Sequence, residues 1–264
     1  MVDDRRKQYN RNMENFKKLE QFRSLFGRGV TDEESMRIWG KSYNEKPVKN
    51  ENIYVNEKIG IAKENLKFLL IFKLVKFVGV SGSVGSGFAK EEDDIDLFIV
   101  VRNGTMWLYR ALVQIRNIFF RKIRVKGDKN VKDKFCLNLI AEERGLVFDS
   151  DIFNFNELMY LVPIYNEKYI NYVFSQNKWL MTEYGVKKEN LITNIKSEKE
   201  VNIFLRILNK FFYYLQLIYM KLASHQPDFK RLAENSKKGR IEFFPKKFKQ
   251  RKIKNYLKEF ISTN

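Results

Sequence analysis

Two apolar runs, split by a Gly/Ser-rich loop and an acidic cluster, constrain this chain more than any other feature. They read VGVSGSVGSGFAKEEDDIDLFIVV, residues 78 to 101. Runs of Val, Ile, Leu and Phe this short, bounded by Gly and Ser, read as buried β-strands. LVKFVGV is therefore expected to form one strand that stops at Ser81-Gly82, and DIDLFIVV a second. The apolar residues from Val55 to Phe72 recur at helical spacing ahead of the first strand. GTMWLYRALVQIRNIFFRKI has the period of a helix after the second, and KFCLNLIA, 134 to 141, reads as a third strand. Strand, helix, strand in mid-chain predicts an α+β core built on a mixed sheet.

The acidic cluster needs a reason to run straight into an apolar strand. Side chains alternate across a strand, so Asp94 and Asp96 point to one face, about 6 to 7 Å apart along the chain, while Ile95, Leu97 and Ile99 point to the other. Two carboxylates on one face repel. A divalent cation between them removes the repulsion, and hard oxygen ligands suit Mg²⁺. Paired carboxylates of this kind can clamp metal ions for phosphoryl transfer. Gly82-Ser83, on the turn after the first strand, offers unshielded backbone N–H groups and a hydroxyl to a triphosphate. If the turn opens a short helix through VGSGFA, the positive end of that helix acts in the same direction. Asp93 reads as ordinary loop charge. Gly79, Gly85 and Gly87 are open between close packing and ligand contact.

The pattern of strand, Gly82-Ser83, VGSGFAKEED, Asp94-Ile95-Asp96 and apolar strand resembles the signature of the DNA polymerase beta-like nucleotidyltransferase superfamily. Together with WLYR and KFCLNLIAEE it is also similar to bacterial nucleotidyltransferase-domain proteins, over roughly residues 60 to 142. The resemblance implies that Gly82 and Ser83 bind the nucleotide, ATP or another NTP, and that Asp94 and Asp96 bind Mg²⁺ and are catalytic. It also implies a third carboxylate on a later strand of the same sheet. Here the chain departs from the family, because the mid-strand polar residue of DKFCLNLIAEE is Asn138, with Asp133 and Glu142 at the ends. Either Asp133 supplies the third ligand or the site is weakened.

The flanks read as helices. Met13, Phe16, Leu19 and Phe22 predict a helix from Asp3 to about Phe26, and Thr31 with Glu34 resembles a capping box that opens a second helix to about Trp39. After Asp149 no strand is expected: FNFNELMYLVPIYN reads as a helix bent or ended by Pro163, and two aromatic-rich helices follow. Their Trp, Phe and Tyr residues, at helical steps, read as core. The expected division is an N-terminal helical segment, 1–55, a nucleotidyltransferase core, 56–148, and a C-terminal helical region, 149–264, that ends in a basic tail including Lys246, Lys247, Lys249, Arg251, Lys252 and Lys254.

Composition narrows the class. The chain of 264 residues, 44% hydrophobic, can bury a sizeable core. A single cysteine, Cys136, excludes an internal disulfide and reads as a small buried residue of the third strand. One histidine, His225, cannot build a His-based zinc site and reads as a helix-end residue. The richest apolar segments, 66 to 80 and 204 to 222, are interrupted by Lys, Arg, Asn and Gln short of a ~20-residue span, so they are expected as buried elements without crossing a membrane. No secretory signal opens the chain, and a cytoplasmic protein is expected. The charge of +18 attracts phosphate and makes nucleic acid a candidate partner. The leading expectation is an Mg²⁺-dependent enzyme moving an NMP from an NTP to an acceptor hydroxyl of RNA, a protein or a small molecule. The alternatives are a catalytically weakened fold of the same kind that binds nucleotide or nucleic acid, favoured by Asn138, and a plain basic nucleic-acid-binding protein. The last leaves the acidic cluster unexplained.

Overall fold

A computed structural model describes residues 2–44, 52–125, 127–187, 201–222, 228–242 and 247–263. His225 and Lys246 lie outside the described residues. In chain order the N-terminal elements are α1 (Val2–Ser24), α2 (Asp32–Trp39), α3 (Ile53–Glu64), α4 (Leu66–Leu69), β1 (Val75–Val80) and α5 (Gly82–Gly85). The middle of the chain forms β2 (Ile95–Val101), α6 (Met106–Phe120), β3 (Phe135–Glu142), α7 (Ile152–Met159) and β4 (Val162–Tyr165). There follow α8 (Tyr169–Gln176), α9 (Trp179–Thr182), α10 (Ile203–Leu222), α11 (Phe229–Lys237), β5 (Arg240–Glu242) and α12 (Phe248–Thr263).

The five strands make one mixed sheet in the order β4-β1-β2-β3-β5. β1 pairs antiparallel with β2 and β4, β2 pairs parallel with β3 through the α6 crossover, and β5 closes the other edge antiparallel to β3. The alternation read from the sequence is what splits the core. Ile95, Leu97, Ile99 and Val101 of β2 pack on one face with Ala62, Leu69, Tyr109 and Val113. Phe98 and Val100 pack on the other with Phe16, Leu19, Trp39 and Phe155. Helices therefore cover both faces, and the protein is α+β, with N-terminal helices and a C-terminal helical region around the sheet.

The capping box at α2 is present, with Thr31 Oγ1 accepting from the Glu34 N–H at 3.2 Å and Glu34 Oε2 accepting from the Thr31 N–H at 2.7 Å. The segment from Val55 to Phe72 breaks at Asn65 into α3 and α4.

Two expectations are corrected. Strands do not end at Asp149, because residues 162–165 and 240–242 supply both edges of the sheet. Pro163 sits inside the edge strand β4 opposite Gly79, where its missing N–H leaves no ladder bond unmade on the outer side. Nor is the 204 to 222 segment wholly buried: its inner face packs on the core, while Phe204, Phe211, Tyr214 and Tyr219 are exposed.

Candidate active site

The Gly/Ser turn and the acidic strand meet because β1 and β2 are adjacent and antiparallel, so the end of β1 lies beside the start of β2. The Ser81 N–H donates to the Asp96 carbonyl at 2.9 Å, fastening the turn to the strand. Gly82 then adopts φ +63° at the start of the single turn α5, and a Cβ on it would fall on the Asp96 carboxylate. Both the backbone angle and the close approach demand glycine here. Gly79, Gly85 and Gly87 instead face Leu161, the carbonyls of Val80 and Tyr160, and the Arg28 guanidinium, so they serve packing.

The acidic run separates into two jobs. Asp94 and Asp96 share a face with Cys136 of β3, and one ligand atom from each lies within 4.8 Å of the others. Asp94 pairs with Arg124 at 2.8 Å. Asp96 accepts a hydrogen bond from the Asn138 amide, whose oxygen accepts from the Cys136 thiol at 3.0 Å. Burial, then the Asp94 charge, then the Glu157 charge push the Asp96 carboxyl up to about 7. The neighbouring acids are structural. Asp93 accepts from Ser83 Oγ at 2.9 Å and from the Lys90 N–H at 3.0 Å, and Glu91 pairs with Lys132 at 2.7 Å. Asp133 is turned to the buried Lys58 ammonium at 2.7 Å, which also donates to the Glu91 and Asp93 carbonyls. Asn138 thus stands next to Asp96 in the sheet, whereas Asp133 is tied to the back of the acidic loop.

A carboxylate that the sequence did not point to stands beside the cluster. Glu157 of α7 brings Oε2 to 3.4 Å from the Gly82 N–H, so Gly82 is flanked by the carboxylates of Asp96 and Glu157. Burial pushes Glu157 up to about 7 as well. Nothing in NFNELM marks this residue, because its proximity to Gly82 depends on how α7 packs on the sheet. The cluster as a whole fits a hard divalent cation. It presents crowded carboxylate oxygens whose charges already disfavour one another, and the Arg124 guanidinium, paired with Asp94, only partly offsets the charge at Asp96. Cys136 Sγ lies in the same group, and with no metal bound, burial and the Asp96 charge raise its thiol pKa.

All of these groups open into one cleft of about 1150 Å³. Its walls come from every part of the chain: Phe22 of α1 and Phe26 just after it, Ser83 and Asp94 from the central segment, and Arg231 and Lys247 from the C-terminal part. A smaller pocket of about 360 Å³, floored by Phe98, Phe148 and Phe153, adjoins the cleft and shares Ser81 and Glu157 with it.

Residues 59–149 match the family model of the nucleotidyltransferase domain. No curated protein and no solved structure matches the chain. No helix among the described residues is long and apolar enough to cross a membrane.

Proposed function

We propose that this chain, whose residues 59–149 match the nucleotidyltransferase-domain family model and carry the motif that resembles the DNA polymerase beta-like superfamily, moves a nucleoside monophosphate from an NTP to an acceptor hydroxyl in an Mg²⁺-dependent reaction. The observation that carries the reading is the meeting of Asp94, Asp96 and Gly82 at the floor of a single cleft. Asp94 and Asp96 would hold Mg²⁺, beside the Asn138 amide that donates to Asp96 and accepts from Cys136. When bound, the ion would neutralise charge on the triphosphate and polarise the reacting oxygens. The acceptor oxygen attacks the α-phosphorus, the bond to the β-phosphate breaks, and pyrophosphate leaves.

The protein's own contribution is positioning. The Gly82-Ser83 backbone would receive the phosphates, which take the place of Glu157 on the Gly82 N–H, and the Ser83 hydroxyl, held by Asp93, fixes the turn that presents them. Glu157 takes the role that Asn138 cannot, accepting the proton of the acceptor hydroxyl. Its buried carboxyl, pushed up to about 7, is matched to that task near neutral pH. The small pocket beside Glu157 is of a size to seat the acceptor.

The decisive experiment incubates purified protein with labelled NTPs, Mg²⁺ and either total RNA or cell lysate. Label transferred by the wild type and lost in Asp94→Asn and Asp96→Asn is expected. Transfer that survives both substitutions overturns the reading. A second reading, a fold of this kind that binds nucleotide without turnover, is favoured by one observation, the neutral Asn138 beside Asp96. It predicts Mg²⁺-dependent NTP binding with no transfer.

A further inference from the structure

α10 is apolar on two opposite sides. Its inner side packs Leu205, Leu208, Phe212 and Leu217 on the core, with Met220 fully enclosed. On a helical wheel the outer stripe of Phe204, Ile207, Phe211, Leu215, Ile218 and Leu222 lies nearly opposite, and each of these side chains is between 46% and 81% exposed. Ile203, Tyr214 and Tyr219 widen the stripe. At about half to three quarters of the ~200 Å² that each can expose, the stripe presents roughly 1,000 Å² of apolar surface, well above the few hundred Å² usual on a monomer. An apolar stripe of this size on a helix already packed on its inner side marks an interaction surface.

The charges on α10 indicate the partner. The helix contains Arg206, Lys210 and Lys221 and no acidic residue. At 100° per residue Lys210 and Lys221 fall along one edge of the apolar stripe, with Arg206 further round toward the core-facing side. α6 packs beside α10, where the Trp107 N–H donates to Asn209, Gln216 donates to the Trp107 carbonyl and Arg110 donates to Gln216. α6 ends in the exposed Ile118, Phe119 and Phe120. A second copy of the chain would lay cation against cation with no carboxylate on α10 to pair them, and it would bring together two proteins of charge +18. An anionic lipid surface satisfies both features at once: the stripe enters the boundary between headgroups and acyl chains, and the basic edge meets the headgroups. We propose that α10 lies in the surface of an anionic membrane and docks the protein there without spanning it. This inference does not depend on nucleotidyl transfer.

The test is flotation of the full chain with vesicles of phosphatidylcholine alone or of phosphatidylcholine mixed with phosphatidylglycerol. Binding to the anionic vesicles is expected, weakening with added salt, with little binding to neutral ones. The exposed-face variant Phe204→Ser/Phe211→Ser/Ile218→Ser should keep its melting temperature and lose at least tenfold in affinity for anionic vesicles. Three results overturn the proposal: a wild type that does not bind anionic vesicles, a variant that binds them as the wild type does, and a wild-type dimer in solution that the variant converts to monomer, which assigns the stripe to a second copy.

Discussion

At the scale of single residues, the site is a set of carboxylates held closer than they would choose. Asp96 and Glu157 are both pushed up to about 7, so in the absence of metal the folded protein binds protons that the unfolded chain has released. The stability these protons lend is complete below the ordinary carboxylate range, near pH 4, and is lost as pH rises through about 7. Melting temperature measured in EDTA should therefore fall across that window, and the fall should shrink in Asp96→Asn. Asp94→Asn and Asp96→Asn should abolish transfer with a melting temperature unchanged or raised, since each relieves repulsion, which at Asp94 offsets the loss of the half-exposed Arg124 pair. Glu157→Gln should lower the rate of transfer by about 10²- to 10⁴-fold, the usual contribution of a general base, while NTP binding persists. Asn138→Asp in the Glu157→Gln background tests whether a carboxylate on β3 can substitute for one on α7; recovery of rate is the expected outcome. Gly82→Ala should remove nucleotide binding, because its methyl group occupies the place of the Asp96 carboxylate.

At the scale of elements, the N-terminal helices act on the site from behind. Arg23 of α1 is 0% exposed. It donates to the Ser86 carbonyl at 2.7 Å, at the end of α5, to Glu34 of α2 at 3.2 Å, and to Asn156 Oδ1 of α7 at 3.3 Å, next to Glu157. Its guanidinium also stacks on the Tyr160 ring at 3.7 Å. One side chain thus ties together α1, α2, the Gly/Ser turn and the helix that carries Glu157. Arg23→Lys keeps the charge but loses the fork of donors. It is expected to raise KM for the NTP more than it lowers kcat, and steady-state kinetics on folded protein decides the split. Thr31→Ala removes one half of the α2 capping box and should cost about 1 kcal/mol in urea unfolding, with little effect on catalysis.

At the scale of the whole molecule, the sheet is completed by distant segments. β4 and β5 pair with the outer sides of β1 and β3, and α10 and α11 add Met220 and Leu232 to one core. A fragment of residues 56–148 would leave two strand edges and that core uncovered. It is expected to remain unfolded by circular dichroism. The charge of +18 should give any RNA or DNA binding a steep decline with salt, and titration at two salt concentrations measures it.

The sequence by itself determined β1, β2, β3 and the crossover α6, because strand alternation and helical period are local properties. For the same reason it placed Asp94 and Asp96 on one face beside the Gly82-Ser83 turn. Tertiary structure alone decided where Asn138 and Asp133 point, which short segments became β4 and β5, and that Glu157 would stand against Gly82. A three-residue edge strand such as Arg240–Glu242 has no period to read and exists only because β3 offers unpaired backbone groups. Glu157 belongs to the site through the packing of Phe153, Phe155 and Leu158 on the sheet, contacts more than fifty residues from the motif they complete.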